Sequence, residues 1–540
     1  MSRTEISPEG TQPNSPGPHN PKKPPEGTPK ARGLLRSSAL VGLMTMLSRV
    51  MGLIRDVVVA NYFGAGSSAD AFFVAFKIPN FLRRLFAEGA FSQAFVPVLS
   101  EYRSLKDLAA VKQLVNRVAG SLGLVLIIVT LLGVVGAPVL AAIFAPGFYL
   151  NDPLRYELAV EMLRYTFPYL LLISLTALSG SILNSYERFA VPAFTPVLLN
   201  LSLIGAAIWM QPLFEQPVMA LALGVLIAGS LQLLFQLPFL WRIQLLPAPV
   251  LGFKDEGVKR ILKLMLPALF GVSVSQINLL LDTLLASFLQ TGSVSWLYYS
   301  DRLAELPLGV FGIAIATVIL PSLSRRHAEK STEHFSRTLD WAMRMVLLIG
   351  LPAAMALLVL AEPLIATLFH YGEMTDRDVT MAAMSLRAYA CGLLAFMLIK
   401  VLAPGYFSRQ DTKTPVKIGI VAMVVNMVLN LILIWPLAHA GLALATTLSA
   451  FLNAGLLLRG LLKEGVFCWQ PGWFKWLMRV GLANILMIVF LLLLAGAPAQ
   501  WLSFDIGQRV TNMTILVGGG AIVYALVLLV TGMRLRDLRH

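Results

Sequence analysis

The feature that most constrains this chain is a succession of apolar runs, each about 20 residues long, along most of its 540 residues. A run of that length spans the hydrocarbon core of a bilayer, which is about 30 Å thick. Backbone groups find no water there, so each span must be a helix or a barrel strand, and these runs lack the alternation of barrel strands. The sequence therefore predicts an all-α polytopic membrane protein with 14 transmembrane helices.

Composition agrees with a chain built for lipid. Only 13% of the residues are charged and 57% are hydrophobic, whereas soluble domains are about 25% charged. The two cysteines, Cys391 and Cys468, cannot form a disulfide framework, and no metal-ligand spacing surrounds them. Residues 1–32 are polar, contain eight prolines and lack the apolar core of a signal peptide. We expect them to form a disordered cytoplasmic tail.

The 43 basic residues are distributed unevenly between the two sides of the predicted bundle. With 14 spans, 30 of them fall on the side of the N-terminus, and three, Arg155, Arg377 and Arg509, fall on the other. Cytoplasmic loops carry the excess of Lys and Arg, so both termini are predicted to be cytoplasmic. The net charge of +14 thus reports membrane orientation. It does not indicate nucleic acid, because no soluble basic face is available.

The chain contains two related halves. The stretch from Ala60 parallels that from Ala286, and Asn200 corresponds to Asn426 at the same shift of 226. Two pseudo-symmetric six-helix lobes are predicted, an N-lobe at 33–243 and a C-lobe at 259–464, followed by helices 13 and 14 at 474–534. Transporters with such repeats bind substrate between the repeats near the midplane.

Charged residues lie inside the predicted spans. Arg49 is near the middle of the first, where an arginine costs about 2.5 to 3.5 kcal/mol and needs a partner or a wet cavity. Arg55 follows six residues later, and Gly52 between them would allow a bend toward one cavity. Further charges lie in the second span and early in helix 8: Asp70, Lys77, Arg83, Arg84, Glu88, Arg302 and Glu305. Because arginine binds phosphate bidentately, they predict an anionic, phosphorylated substrate.

Other interpretations of these charges stay open. The ion pairs Arg55–Asp56 and Arg302–Glu305 would account for part of the cluster if they only hold helices together. Lys400 and Asp282 are each either a structural pair member or an ion-coupling group. No cofactor is predicted, and a coupling ion or the membrane potential would supply the energy.

Several long motifs resemble the MurJ (MviN) family of bacterial lipid II flippases, in the MOP exporter superfamily. They are SRVMGLIRD from Ser48, FGAGSSADAFFVAFKIPNFLRRLFAEGAF from Phe63, GSVSWLYYSDRLAELPLGVFG from Gly292 and APGYFSRQDTKTPVKI from Ala403. The resemblance implies a MATE-like pair of lobes, with helices 13 and 14 forming a groove for the lipid tail. It implies that a central cavity binds substrate through Arg49, Arg55, Arg83 and Arg302.

The same resemblance implies that Asp70 is required, and that Ser48, Ser295 and Glu305 lie in the cavity. Lys77 and Arg84, on the same span as Asp70, are further gating or cavity candidates. The expected mechanism is alternating access, in which Asp70 pairs with a cavity arginine and biases one state. The expected partners are lipid II, membrane lipids and cell-wall synthesis proteins.

Four other functions are alternatives to this one. A flippase for another polyprenyl-linked saccharide would share the fold, whereas an exporter of cationic drugs would need more carboxylates than arginines. A membrane enzyme acting on polyprenyl phosphate would need paired carboxylates or histidines, and the sequence shows no such arrangement. A scaffold for cell-wall proteins would leave the intramembrane arginines unexplained.

Overall fold

The computed structural model describes residues 31–329 and 331–534. Within those ranges the chain is helical almost throughout and has no strand, so the all-α prediction is confirmed. The tail predicted to be disordered lies outside the described residues, except that Ala31 and Arg32 already belong to the first helix.

The first ten α-helices extend to residue 242. They are α1 (Ala31–Phe63), α2 (Ser67–Leu82), α3 (Ser92–Leu105), α4 (Leu108–Val135), α5 (Ala137–Phe144), α6 (Pro146–Asn151), α7 (Pro153–Thr166), α8 (Tyr169–Ser185), α9 (Ala190–Gly205) and α10 (Met219–Arg242). A π-helical segment, Arg83–Phe91, joins α2 to α3, and another, Ala206–Met210, extends α9 into a short 3-10 turn, Gln211–Leu213.

A further ten α-helices follow. They are α11 (Glu256–Ala286), α12 (Ser293–Pro307), α13 (Ile313–Ala328), α14 (Thr332–Val359), α15 (Ala361–Phe369), α16 (Asp376–Phe407), α17 (Lys413–Lys463), α18 (Trp473–Ala495), α19 (Pro498–Ser503) and α20 (Ile506–Val530). A π-helical segment, Leu308–Gly312, joins α12 to α13.

Acidic and hydroxyl side chains mark where several helices begin. The Asp107 carboxylate accepts from the Ala110 amide at 3.1 Å at the start of α4, and Asp152 and Asp255 do the same for α7 and α11. Thr375 with Asp378 and Asp505 with Gln508 form capping boxes at α16 and α20. These caps satisfy amides that the first helical turn leaves without partners.

Nine helices of the described chain are long and apolar enough to cross a membrane. One of them, α17, has 51 residues and is broken at Ala438, whose backbone has φ 48° and ψ −128°. The Asn426 side chain donates to Ser449 Oγ at 3.2 Å, although 23 residues of straight helix would separate them by about 35 Å. The two arms of α17 therefore lie side by side.

Most buried apolar side chains form one cluster that runs through both predicted lobes and the α18–α20 hairpin. A smaller cluster joins α3, α4, α8 and α10 to the first turns of α11 through Val258 and Ile261. The connection 243–255 is held on α4, where Asn116 accepts from the amides of Ala248 and Val250 at 2.8 and 3.0 Å. The beginning of α11 thus packs with the N-terminal half.

The break in α17 leads to a prediction for substitutions of Ala438. Its positive φ costs a non-glycine residue about 1 to 2 kcal/mol, so Ala438→Gly should raise the free energy of unfolding by about 1 kcal/mol. Ala443→Gly, at a buried helical position of the same element, should lower it by a similar amount. Thermal unfolding of the purified protein in detergent measures both. Equal losses in the two variants would contradict the assigned break.

Candidate functional site

Asp70 joins the two predicted lobes, the N-lobe, or first lobe, and the C-lobe, or second lobe. It lies in the first turn of α2 and is fully buried. Its carboxylate accepts from the amides of Gly292 and Ser295 at 2.7 and 2.9 Å, and from the Ser295 hydroxyl at 2.6 Å. Gly292 and Ser295 form the N-terminus of α12, so an acid of the first lobe caps a helix of the second. A carboxylate there also gains from the helix dipole.

The cation beside Asp70 is Arg155. Its Nη1 lies 3.1 Å from Asp70 Oδ2, its Nε lies 3.1 Å from Asp152 Oδ2, and its guanidinium stacks on Phe148 at 4.3 Å. The expectation that Asp70 pairs with one of the cavity arginines is therefore wrong as to the partner. Arg155 belongs to α7 and is one of the three basic residues that the charge pattern places on the side opposite the N-terminus. Both members of the pair are buried, with 0% and 5% of their side chains exposed.

Three further contacts connect the lobes near Asp70. The Tyr299 hydroxyl donates to the Gly64 carbonyl at 2.8 Å, and the Glu373 amide donates to the Asn61 carbonyl at 3.0 Å. The Gly147 amide donates to Ser287 Oγ at 3.0 Å. Together with the Asp70 bonds, we call these contacts the inter-lobe seal. Glycine is required at Gly64, which has φ 61° and whose Cα faces the Glu373 backbone.

Arg55 lies in a buried polar network. It donates to Asp56 Oδ1 at 2.7 and 2.9 Å, to Asn200 Oδ1 at 3.0 Å and to the Tyr298 hydroxyl at 2.9 Å. Asn200 in turn donates to the Ser48 carbonyl at 3.1 Å. Asn200 also lies beside Gly52, where a Cβ would be in ordinary contact with the amide nitrogen at 3.7 Å. The network joins α1 and α9 to α12.

Arg302 extends the network toward open space. Its Nε lies 3.7 Å from Asp56 Oδ2, its Nη1 lies 3.2 Å from Glu305 Oε2, and its guanidinium stacks on the Tyr298 ring at 5.0 Å. About a third of its side chain is exposed. Both ion pairs of the purely structural interpretation, Arg55–Asp56 and Arg302–Glu305, therefore exist. Arg302 nevertheless keeps an accessible edge.

Arg49 differs from these two arginines. No described residue forms an ion pair or a hydrogen bond with its side chain, which is half-buried. Its guanidinium lies against the backbone of Gly309, in the π-helical segment Leu308–Gly312 of the second lobe. A buried charge is stable only when it is paired or hydrated. Arg49 therefore presents an uncompensated charge at the boundary between the lobes.

The remaining candidates follow α2 toward the other end of the molecule. Lys77 is half-buried and interacts electrostatically with Asp282 and Asp301 of the second lobe. Arg83 donates to Asn80 Oδ1 at 3.2 Å, and Arg83 and Arg84 are the first two residues of the π-helical segment Arg83–Phe91. Arg84 is exposed. The space between the lobes therefore contains acids as well as arginines.

A second polar cluster lies inside the C-terminal half. Asp282 accepts from the Asn430 amide at 2.9 Å and from the Thr446 hydroxyl at 3.2 Å. Asn426 accepts from Asn430 at 2.6 Å and donates to Thr446 and Ser449. Asn430 Oδ1 is buried and accepts no hydrogen bond from the described residues. The cluster thus holds one oxygen atom, Asn430 Oδ1, that no donor of the described chain satisfies.

The two polar clusters are related by the internal repeat. Asp282 follows Asp56 by the same shift of 226 that relates Asn426 to Asn200. In the first lobe, the Arg55 guanidinium fills the space between the acid and the asparagine. The residue at the position matching Arg55 is Leu281, so the second lobe has no tethered cation there.

Sequence reasoning missed Arg155, Asn200 and Tyr298 as site residues. Arg155 had one usable signal, because it is one of only three basic residues on its side of the bundle. Asn200 had appeared only as a marker of the repeat. Tyr298 carried no signal in isolation, although it stacks on Phe73 with ring centroids 3.9 Å apart.

Comparisons with known proteins agree on one group. The family model described as lipid II flippase MurJ matches residues 59–512. A probable lipid II flippase MurJ of Vibrio cholerae is 54% identical over 515 residues, covering 94% of this chain and 98% of that protein. The lipid II flippase MurJ of Burkholderia cenocepacia is 44% identical over 458 residues, covering 84% and 89%.

Solved structures show the same likeness. A lipid II flippase MurJ in an inward closed conformation aligns with a TM-score of 0.76 at 27% identity, covering 91% of this chain and 98% of that one. An inward-facing MATE family transporter aligns with a TM-score of 0.65 at 16% identity, covering 79% and 98%. At that identity the second likeness shows a shared fold alone.

The Asp70–Arg155 pair predicts how the inter-lobe seal responds to mutation. Removing one partner of a buried ion pair costs about 3 kcal/mol, so Asp70→Asn and Arg155→Gln should each raise the open fraction of the seal roughly a hundredfold. The reporter is thiol labelling of Ser293→Cys, a fully buried position whose hydroxyl has no partner in the described chain.

The labelling requires a background without Cys391 and Cys468, which are both free. Arg164→Gln is the matched control, because Arg164 lies on α7 with Arg155 but is exposed. Labelling rates that stay at the control level in both seal variants would contradict the role given to the pair.

Proposed function

The chain belongs to the family of lipid II flippases called MurJ, and from that premise we propose that it carries lipid II between two lobes by alternating access. It is a transporter rather than an enzyme, and a multi-pass protein of the inner membrane, as its close relatives and its apolar helices indicate. Its substrate is lipid II, the lipid-linked precursor of peptidoglycan, so its activity serves cell-wall synthesis and cell shape.

The proposed number of spans is fourteen. The break in α17 turns the nine candidate helices into ten segments. Four more segments are long enough but carry the charged residues discussed above: α1, α2 with α3, α11, and α12 with α13. With both termini in the cytoplasm, α1 ends and α2 begins on the periplasmic side. The inter-lobe seal is then the closed periplasmic gate.

The observation that carries the substrate proposal is Arg49, which faces the second lobe at Gly309 and has no acidic partner among the residues that the structure describes. A diphosphate between the lobes would supply the missing anion and would also meet the accessible edge of Arg302. Bidentate bonds from a guanidinium to phosphate are strong because donor and acceptor are both charged. Arg83 would act on the cytoplasmic side of this position, and Arg55 would hold Tyr298 and Asp56 in place.

Release follows from the same geometry. The outward-open state requires that the Asp70 bonds to α12 break, which exposes the headgroup to the periplasm. The polyprenyl tail stays in lipid, along the apolar α18–α20 hairpin at 474–534, whose outer residues are exposed. The likeness to the inward closed neighbour supports assigning the closed seal to the inward side of the cycle.

Arg49 gives the sharpest test. A hydrogen bond to a charged group contributes about 1.5 to 3 kcal/mol, so Arg49→Ala should weaken lipid II binding roughly ten- to a hundredfold. Gly309→Ala should weaken it in the same direction, because its methyl group would occupy the space of the guanidinium. Binding by native mass spectrometry and translocation in proteoliposomes are the measurements. Arg164→Ala, an exposed arginine of α7, should behave as the parent. Full binding and translocation by both variants would overturn the substrate role of Arg49.

We also propose that Asp282 and its neighbours hold a coupling cation or proton. Asn430 Oδ1, which no donor of the described chain satisfies, and the apolar Leu281 at the position matching Arg55 support this use, since hard cations prefer oxygen ligands. Asn430, Thr446 and Asn426 would orient the carboxylate. Membrane lipids would contact the outer face, and cell-wall synthesis proteins stay predicted partners.

The coupling proposal predicts a change in energy dependence. Asp282→Asn removes the charge that would bind the cation, so translocation should lose its response to imposed sodium or proton gradients. Proteoliposomes with one gradient varied at a time provide the measurement, with Glu157→Gln on α7 as an exposed control. If Asp282→Asn keeps the gradient response of the parent, Asp282 is a structural residue.

A further inference from the structure

Arg509 fastens the C-terminal hairpin to the C-lobe. It lies in the first turn of α20 and only 4% of it is exposed. Its guanidinium donates to the carbonyls of Ala366, His370 and Leu502 at 3.0, 2.8 and 2.9 Å. It also lies 2.9 Å from His370 Nδ1 and stacks on the ring of Tyr371 at 5.3 Å. One side chain therefore joins α20, the α19 turn and the segment after α15.

The segment that Arg509 holds, residues 370–375, also touches the first lobe. The Glu373 amide donates to the carbonyl of Asn61, near the end of α1. The Cα of Gly372 faces the same residue closely enough that a Cβ would meet the Asn61 backbone. Segment 370–375 is thus one side of the inter-lobe seal as well as the attachment point of the hairpin.

A second route leads from the same segment to Asp70. Thr375 and Asp378 form the capping box of α16, and Asp378 Oδ1 accepts from the Trp296 indole at 2.8 Å. Trp296 directly follows Ser295, whose amide and hydroxyl bond to Asp70. The His439 ring packs against the Trp296 ring, and their centroids are 4.9 Å apart. The N-terminus of α12 is therefore supported from the side of segment 370–375.

We infer that Arg509 is a positioning residue that couples the α18–α20 hairpin to the periplasmic gate. Each bond from a buried guanidinium costs about 1 to 3 kcal/mol to leave unmade, so the hairpin and segment 370–375 move together. A ligand shifts a conformational equilibrium only by its different affinity for the two states. A polyprenyl chain that binds one hairpin position better would therefore bias the seal. The inference rests on the proposed function, which places that chain on the hairpin.

The opening of the periplasmic gate can be measured as the distance between two spin labels, one in each lobe. Leu154 and Thr380 are exposed residues of α7 and α16, one in each lobe. The probes are undecaprenyl diphosphate, which has a chain, and inorganic diphosphate, which has none. In the parent protein the chain-bearing probe should shift the distance distribution more than inorganic diphosphate. Arg509→Gln should reduce that extra shift at least about threefold, and Arg509→Lys should reduce it less, because lysine keeps the charge without the planar fork.

Arg479→Gln is the matched control, because Arg479 lies in the same hairpin and, among the described residues, hydrogen-bonds only to the Gly532 carbonyl, at 3.4 Å. It should keep the parent response. If Arg509→Gln does not insert, His370→Ala removes the Nδ1 acceptor while leaving the carbonyl bonds, and the same reduction is expected. An Arg509→Gln response equal to that of the parent would overturn the coupling.

The outcome separates this inference from the proposed function. A parent protein that responds equally to both probes overturns the coupling, and lipid II translocation retained in the same proteoliposomes would leave the flippase mechanism intact. Conversely, Arg49→Ala could lose translocation and still show the parent's extra shift with undecaprenyl diphosphate. That result would place the defect at the substrate site and leave the coupling through Arg509 intact.

Discussion

The carboxylate of Asp70 lies where the two lobes meet, away from water, and it takes its hydrogen bonds from the second lobe. Gly292 and Ser295 supply these hydrogen bonds at the N-terminus of α12, and Arg155 supplies the opposite charge from the first lobe. A buried charge is costly unless it is paired and hydrogen-bonded. The lobes can therefore part only if this acid finds new partners, for instance water in an opened gate. The contacts at Gly64, Asn61 and Gly147 each use a backbone group of the first lobe and require the same close approach.

The charges between the lobes are graded in how fully they are compensated. The guanidinium of Arg55 is fully engaged by Asp56, Asn200 and Tyr298, so Arg55 stabilises the packing of the helices around it. Arg302 shares its acids and keeps an exposed edge, and Arg49 has no acidic partner among the described residues. An anion entering this space would therefore meet positive charge at Arg302 and Arg49 that acids of the described chain only partly neutralise. In the proposed function, the arginines with incomplete compensation bind the substrate, and the fully compensated one stabilises the fold.

Much of this arrangement could be predicted from sequence, because a charge within an apolar run is conspicuous. Arg49, Asp70 and Arg302 were found in that way, and so was the all-helical fold. The partner of Asp70 could not be found, since Arg155 is 85 residues away and a polar flanking segment looks alike whether it is buried or not. Tyr298 looks like ordinary aromatic packing until its hydroxyl is placed beside Arg55. The π-helical segment at Arg83 has no sequence pattern of its own, and it packs against α11 in the folded chain.

The central claim is that the seal must open for each substrate molecule to cross. Asn61 and Glu373 lie on opposite lobes and are joined by a backbone hydrogen bond of 3.0 Å. Cysteines at both positions, in a background without Cys391 and Cys468, can be bridged by a short reducible crosslinker. Lipid II translocation in proteoliposomes should stop when the bridge forms and recover when it is reduced. Unchanged translocation by the fully bridged protein would contradict the account.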